Sequence, residues 1–418
     1  MEAEIITIGD ELLLGQTIDT NSAWLAEQLF PMGIRIQRIT TIRDTRDAIL
    51  NEVHAAFKRS ALILITGGLG PTRDDITKET LAEYFGTHLE RNREVLEEIE
   101  RFFRQKGRPV LEVNRAQADL PADATLLRNT RGTAQGMWFE KDGKVLISMP
   151  GVPYEMKGIM NDGGFERLRE RFNSPKFVQR LVLTQGLGES YIADLMSDWE
   201  QSLRNEGLAL AYLPSPGLVR LRISGSASNG DLRLIEERIN HYVKELERRL
   251  PHHVYGYDRA SIAGVLGNIL QERSASLSLA ESCSGGYISH LITAVPGASS
   301  YYRGGVVCYS NEAKVELLAV DSELLKKHGA VSEEVVRAMA MGARERFGST
   351  YALATSGIAG PNGGSDEKPV GTVWVAMASA KRCATAKLNL GKSRSRNITI
   401  SSLSALNMLR NEILSKEL

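Results

Sequence analysis

Short apolar runs and polar intervals alternate from the amino terminus. Glu4–Ile8 reads as a strand, Asn21–Phe30 carries helical spacing after a polar start, and Ile34–Ile42 is again strand-like. Arg46–Arg59 is helical, and Ala61–Thr66 (ALILIT) is a continuous apolar run, as a strand covered on both faces requires. This β-α-β-α-β order predicts a parallel sheet with helices on both sides. Met137–Met149 predicts a hairpin turning at Lys141-Asp142-Gly143, and MPGVPYEM opens a helix after Pro153.

RFNSPK, around Phe172–Lys176, reads as a linker. Beyond it, QRLVLTQ is strand-like, Glu189–Leu203 helical, ALAYLP and LVRLRISGSA strands, and Asp231–Leu250 a long amphipathic helix. That pattern predicts a small α+β module, ending near Pro251–Tyr257. The last third returns to α/β alternation. Helices are expected at Ile262–Arg273, after ESCSGG, at Glu312–Val320, Glu333–Phe347 and Ser395–Leu414. Strands are expected at Ala275–Ala280, GGVVCYS, YALATSG, GTVWVAMAS and RCATAKLNL, their late pairing open. The expected fold class is multi-domain α/β: a doubly wound domain over 1–170, an α+β module over 171–252, and an α/β domain over 253–418.

Composition narrows the classes. The 418 residues are enough for two or three domains. Apolar residues at 42% and charged ones at 24% describe ordinary globular protein. Basic and acidic residues both number 51, so no overall positive excess recommends nucleic acid. The three cysteines form no C-x-x-C pair, and MEAEIITIGDELLLG shows neither a basic leader nor a long apolar stretch. The expected location is therefore cytoplasmic, with free thiols and no membrane partner.

Candidate chemistry gathers where strands end. In the last third, Glu281-Ser282-Cys283-Ser284-Gly285-Gly286 places three small nucleophile candidates before a helix start, where an anion or developing oxyanion is favoured. Tyr309-Ser310-Asn311-Glu312-Ala313-Lys314 follows, with Asn311 as the expected cap and Lys314 one turn along. Ser356-Gly357-Ile358-Ala359-Gly360 begins a glycine-rich turn that could close on a phosphate or carboxamide. No histidine lies in these segments. Lys314 can serve as the base if burial and a neighbour such as the Tyr309 hydroxyl lower its pKa. Each segment also has a plain structural reading, as a tight turn or a solvated lysine. Cys283 reads as a small buried residue, and His290 and His328 as structural.

The first third repeats the arrangement. Gly9-Asp10-Glu11 through Gly15 follows one strand, and Thr66-Gly67-Gly68-Leu69-Gly70-Pro71-Thr72-Arg73-Asp74-Asp75 another. The glycines suit phosphate, while Asp10, Asp74 and Asp75 could share a divalent metal ion with it. The plain alternative is that Asp74 or Asp75, taken singly, is merely a helix cap.

ESCSGG, GGVVCYSNEAK, HGAVSEEVV and SGIAGPNGGSDEKPVGTV, in this order, resemble the carboxy-terminal domain of the CinA family, which also exists alone as the PncC amidase. The resemblance implies deamidation of nicotinamide mononucleotide to nicotinic acid mononucleotide and ammonia, without a cofactor. It implies Ser282 as nucleophile with Lys314 and Tyr309 as partners, and Ser284, Gly285, Gly286, Ser310, Asn311, Ser356, Gly357 and Gly360 lining the substrate. The family usually has Thr at the place of Ser284. Where it often shows Gly-Asp-Arg, this chain reads Gly391-Lys392-Ser393-Arg394-Ser395-Arg396, so Arg394 or Arg396 would hold the phosphate.

GDELLLG, DTN, TGGLGPTRDD and MPGVPYEM resemble the MoaB/MogA type of molybdopterin-binding fold in its CinA version. That implies a metal-dependent ADP-ribose pyrophosphatase, with Asn21, Pro150, Gly151 and Glu155 in the nucleotide site. The middle resembles the family's KH-like module. Its Gly186-Leu187-Gly188 replaces the G-x-x-G loop of nucleic-acid binders, so a spacer or homodimer contact is expected, with no nucleic-acid partner. The competing readings are molybdenum-cofactor assembly and a non-enzymatic protein of DNA uptake.

Overall fold

The computed structural model describes residues 1–72, 74–172, 177–226 and 231–415. Most of the expected linker RFNSPK, and Arg73 of the TGGLGPTRDD loop, lie outside them. The chain divides into two compact units, Met1–Val178 with Ser226–Leu232, and Gln179–Gly225 with Arg233–Leu418.

The first unit contains β1 (Glu2–Ile8), β2 (Arg35–Ile42), β3 (Leu62–Thr66), β4 (Leu89–Arg91), β5 (Asp119–Pro121), β6 (Thr125–Leu127), β7 (Gly136–Lys141) and β8 (Lys144–Met149). Among the described residues, β4 and β5 form a separate pair, and the others a sheet ordered β2-β1-β3-β8-β7-β6. β2, β1, β3 and β8 are parallel, and β7 and β6 continue antiparallel. Side-chain alternation explains the continuous apolar runs. Ile6, Ile8, Ile63 and Ile65 pack with Ile49 and Val53 of helix Arg46–Arg59. Ala3, Ile5, Leu62 and Leu64 pack the other way, with Leu25 and Leu29 of helix Thr20–Leu29. Truncating one such residue, Leu64→Ala, would cost about 2–5 kcal/mol. The hairpin turns at Asp142 (φ 52°) and Gly143 (φ 74°), the two positive dihedrals that a two-residue connection between twisted strands demands.

In the second unit, β9 (Phe177–Gln185), β10 (Ala209–Ser215), β11 (Leu218–Ser226) and β12 (Val254–Tyr257) form a sheet ordered β10-β11-β9-β12. Two sequence expectations change here. The segment assigned beyond the 252/253 boundary is β12, paired antiparallel to β9. The single helix expected over Glu189–Leu203 breaks at Met196 (φ −111°) into Glu189–Leu195 and Ser197–Asn205. Ile192, Met196, Trp199 and Leu203, spaced as one helical face, are all buried despite the break.

The rest of this unit is built on β13 (Leu277–Glu281), β14 (Tyr302–Val307), β15 (Tyr351–Gly357), β16 (Thr372–Ala378) and β17 (Cys383–Asn389), ordered β14-β13-β15-β16-β17. β14, β13 and β15 are parallel, whereas β16 and β17 are antiparallel. Helices Ile262–Glu272, Tyr287–Thr293 and Arg394–Leu414 cover one face, and Glu333–Phe347 the other. Helix Arg394–Leu414 also holds the β9–β12 sheet: Asn407 Nδ2 donates to Gln185 Oε1 at 2.7 Å, and Arg410 to the carbonyl of Val254. Among the described residues, no helix is long and apolar enough to cross a membrane.

Candidate active site

The chain leaves β13 toward β14 on one side and returns to β15 on the other. The strand order therefore reverses at β13, and it is beyond the carboxyl end of such a strand that open α/β sheets bind their ligands. Three segments meet there: Ser282–Gly286 after β13, Cys308–Ser310 after β14, and Ser356–Gly360 at the end of β15. The Ser282 N–H donates to the Thr355 carbonyl (3.0 Å) and Cys308 N–H to that of Glu281 (2.9 Å), which fixes their relative register.

Lys314 is the decisive side chain. It lies in the first turn of helix Asn311–Leu318 yet is only 1% exposed. Its Nζ sits 3.2 Å from Ser282 Oγ, and 2.9, 3.3 and 3.3 Å from the carbonyls of Cys308, Tyr309 and Ser310. Burial pushes its pKa below that of an ordinary lysine, because desolvation penalises the ammonium. The positive end of the helix acts in the same sense. The helix cap is Ser310, whose Oγ accepts from the Ala313 N–H, so Asn311 is the first helical residue and not the expected cap.

The same geometry separates the three nucleophile candidates. Ser282, 8% exposed, is the one in contact with the amine. The Ser284 hydroxyl is engaged by Thr355 Oγ1 at 2.6 Å. Burial pushes the Cys283 thiol up to about 11, so thiolate is scarce at neutral pH. Gly285 (φ 61°) adopts a conformation that side chains avoid, and open space lies where a Cβ would point.

Other expected residues are placed differently. Tyr309 is 60% exposed, and its hydroxyl accepts from Arg394 Nη2 at 3.0 Å. Only its carbonyl meets Lys314, so the expected lysine–phenol contact is absent among the described residues. Arg394, at the start of its helix, also donates to the Gly360 carbonyl at 3.0 Å. Arg394 is thus the arginine joined to this site, while Arg396 is exposed one step further on. The Ser356 hydroxyl donates to the Ala330 carbonyl (2.6 Å), which ties the end of β15 to the segment before helix Glu333–Phe347. Gly357 is packed against Val373, so its smallness serves β15–β16 contact. His290 lies in the last turn of helix Tyr287–Thr293, and His328 pairs with Glu334.

The first unit has a comparable reversal of strand order. β1 leads to β2 on one side and then to β3 on the other, and a cleft of ≈ 550 Å³ opens at their carboxyl ends. Gly9, Asp10, Glu11, Gly67, Gly68, Gly70, Asp74, Asp75, Pro150, Gly151 and Glu155 all line it. Asn21 Nδ2 holds the Gly151 carbonyl at 2.8 Å. Thr66 is the last residue of β3, and Gly15 ends the turn after helix Asp10–Leu13. Gly67 (φ 112°) passes so close to β1 that a Cβ would meet the Ile8 carbonyl at 2.0 Å.

The sequence reading missed Asp44, which lies two residues beyond the end of β2 and lines the same cleft. Burial, then the charges of Asp75, Asp74 and Asp10, raise its pKa to about 6. Its Oδ1 is buried without a hydrogen-bond partner among the described residues. The expected trio of Asp10, Asp74 and Asp75 is not assembled: Asp75 turns back onto the Thr72 N–H (3.0 Å) and hydroxyl. Among the described residues, no three acidic, histidine or cysteine side chains converge at ligating distance. An unpartnered buried carboxylate oxygen amid like charges nevertheless has the chemistry a hard divalent cation would relieve.

Residues 4–170 match the probable molybdopterin binding domain, 179–256 the damage-inducible protein CinA KH domain, and 259–413 the CinA C-terminal domain. A CinA-like protein of Cytophaga hutchinsonii is 45% identical over 411 residues, covering 98% of this chain and 98% of that protein. One from Flavobacterium psychrophilum is 40% identical, covering 99% of each. A putative competence-damage inducible protein of Caldicellulosiruptor bescii is 40% identical, covering 99% of this chain and all of that one (100%).

Proposed function

The chain belongs to the CinA family, and from that premise we propose that its last domain is a serine–lysine amidohydrolase that deamidates nicotinamide mononucleotide. One observation carries the reading: the buried Lys314 amine stands 3.2 Å from the Ser282 hydroxyl. Neutral Lys314 takes the Ser282 proton as Oγ bonds to the carboxamide carbon. The oxyanion forms beside the Cys283 and Ser284 N–H groups, which are not engaged in main-chain hydrogen bonds among the described residues. The tetrahedral intermediate then collapses. The C–N bond breaks, Lys314 returns the proton to the departing nitrogen, and ammonia leaves. Water, deprotonated by the same amine, cleaves the acyl ester and restores Ser282. Arg394 would hold the substrate phosphate, a planar donor suited to that anion. The test is ammonia release from nicotinamide mononucleotide by the full chain and by Ser282→Ala. Absence of release by the wild type sinks this reading.

For the first unit, we propose a metal-dependent ADP-ribose pyrophosphatase. Asp44 and Asp10 would hold a divalent ion, which when bound would polarise a pyrophosphate. The chain's own loops, Gly67–Gly70 and Pro150–Gly151, would seat the phosphates through main-chain N–H groups. AMP formation from ADP-ribose, with and without a chelator, tests it. The match to a probable molybdopterin binding domain favours a second reading, pterin binding, and equilibrium titration with a pterin ligand discriminates the two.

A further inference from the structure

We propose that Glu281 is a positioning residue that locks the Ser282 turn in its attacking geometry; the inference rests on Ser282 being the nucleophile. Glu281 ends β13 and is 1% exposed, on the alternation face of Leu277 and Leu279, which pack in an apolar core. A carboxylate buried there must be fully hydrogen-bonded or it would destabilise the fold. It is: Oε2 accepts from the N–H groups of Gly286 and Ile288 (3.0 Å each), and Oε1 from the Ser289 N–H (2.8 Å) and Oγ (2.7 Å).

These donors belong to the start of helix Tyr287–Thr293. Its cap residue, Gly286, has no side chain with which to satisfy them. The cap is supplied instead from the strand on the other side of the turn. Ser282–Gly285 is therefore clamped at both ends: the Ser282 N–H is bound to Thr355, and Gly286 to Glu281. The brace extends to the sheet edge, because the Ser289 hydroxyl lies 2.9 Å from the Tyr302 hydroxyl on β14. The Glu281 main chain also receives the Cys308 N–H, and the Cys308 carbonyl in turn accepts from Lys314. One residue thus links the backbone that carries the hydroxyl to the backbone that cages the amine.

The full chain would be compared with Glu281→Gln, Ser289→Ala and Tyr302→Phe. The readouts are kcat and KM for nicotinamide mononucleotide, the rate of Ser282 labelling by a fluorophosphonate, and the melting temperature. In Glu281→Gln an amide nitrogen faces two N–H donors, so the turn shifts. The expected result is a fall in kcat of about 100-fold, with KM within about threefold and labelling slowed in parallel, since small misplacement of a nucleophile carries such losses. Ser289→Ala should slow both rates about threefold to tenfold while remaining folded. A purely structural role would lower the melting temperature and leave kcat and labelling per folded molecule unchanged, which overturns the proposal. If Glu281→Gln does not fold, Ser289→Ala decides: slowed rates uphold the proposal, unchanged rates overturn it. A wild type that labels at Ser282 but releases no ammonia refutes only the substrate assignment, and the labelling comparison still judges Glu281. A wild type that does not label at Ser282 overturns the proposal together with the nucleophile.

Discussion

Replacing Lys314 by Met keeps much of the side-chain volume and removes the amine. The loss then falls on the four groups that Nζ reaches, the Ser282 hydroxyl and the carbonyls of Cys308, Tyr309 and Ser310. Leaving those acceptors without a donor costs on the order of 1–3 kcal/mol. Relief of the buried amine's desolvation offsets part of that, since burial is what depresses its pKa. A net loss of about 2 kcal/mol or less corresponds to a fall in melting temperature of roughly 4–8 °C. Activity should fall much further. Removing a general base costs about 10²–10⁴ in rate, or roughly 3–5 kcal/mol of transition-state stabilisation. Ammonia release at saturating and subsaturating substrate, beside a thermal melt, separates the two effects. In the wild type, kcat/KM should fall as pH drops below the depressed Lys314 pKa, because the base becomes protonated. Lys314→Met should lack that limb. The stability sign is also fixed: between the folded pKa and the ordinary lysine value the unfolded state binds more protons, so stability rises with pH. A folded Lys314→Met protein that keeps more than about a tenth of wild-type kcat/KM would refute the assignment of Lys314 as base.

Arg394→Ala should raise KM for nicotinamide mononucleotide about tenfold or more with a smaller change in kcat, whereas Arg396→Ala should leave both nearly unchanged, as steady-state kinetics would show. Asp44→Asn should abolish any rise in melting temperature that divalent ions give the wild type, and AMP formation with it; calorimetry with and without chelator is the check. Glu4 is buried, which pushes its pKa up, but hydrogen bonds from Arg59 and Ser60 outweigh this and hold it below the usual carboxylate value. Its contribution is therefore present above about pH 4.5 and lost as pH falls through the lower folded pKa. Glu4→Gln should lose about 1.5–3 kcal/mol by urea unfolding at pH 7, the worth of a hydrogen bond to a charged group, and show a weaker acid dependence.

Much of this molecule is written locally. Continuous apolar runs such as LILIT, the Asp142-Gly143 turn and the helix over Arg46–Arg59 follow from side-chain period and backbone sterics, which act over a few residues. The loops that follow β1, β3, β13, β14 and β15 were also legible, because glycines and small polar residues mark strand ends. So were Ser282 and Lys314 as members of one family's motif. Residue roles inside those loops were not legible, since they depend on direction. No local pattern says that the Tyr309 hydroxyl turns to Arg394 and leaves only its carbonyl for Lys314, or that Asp75 folds back on Thr72. Asp44 was missed because a lone carboxylate after a strand is unremarkable until other acids crowd it from distant loops. The choice among Ser282, Cys283 and Ser284 was likewise open in one dimension. Which of the three touches the Lys314 amine depends on the reversal of strand order at β13, which brings the helix start carrying Lys314 beside one hydroxyl and Thr355 beside another. Sequence determined the elements and the chemical groups available, because propensity and alternation are short-range. Tertiary structure decided which groups touch and which are desolvated, because both depend on strand order and burial that no single segment contains.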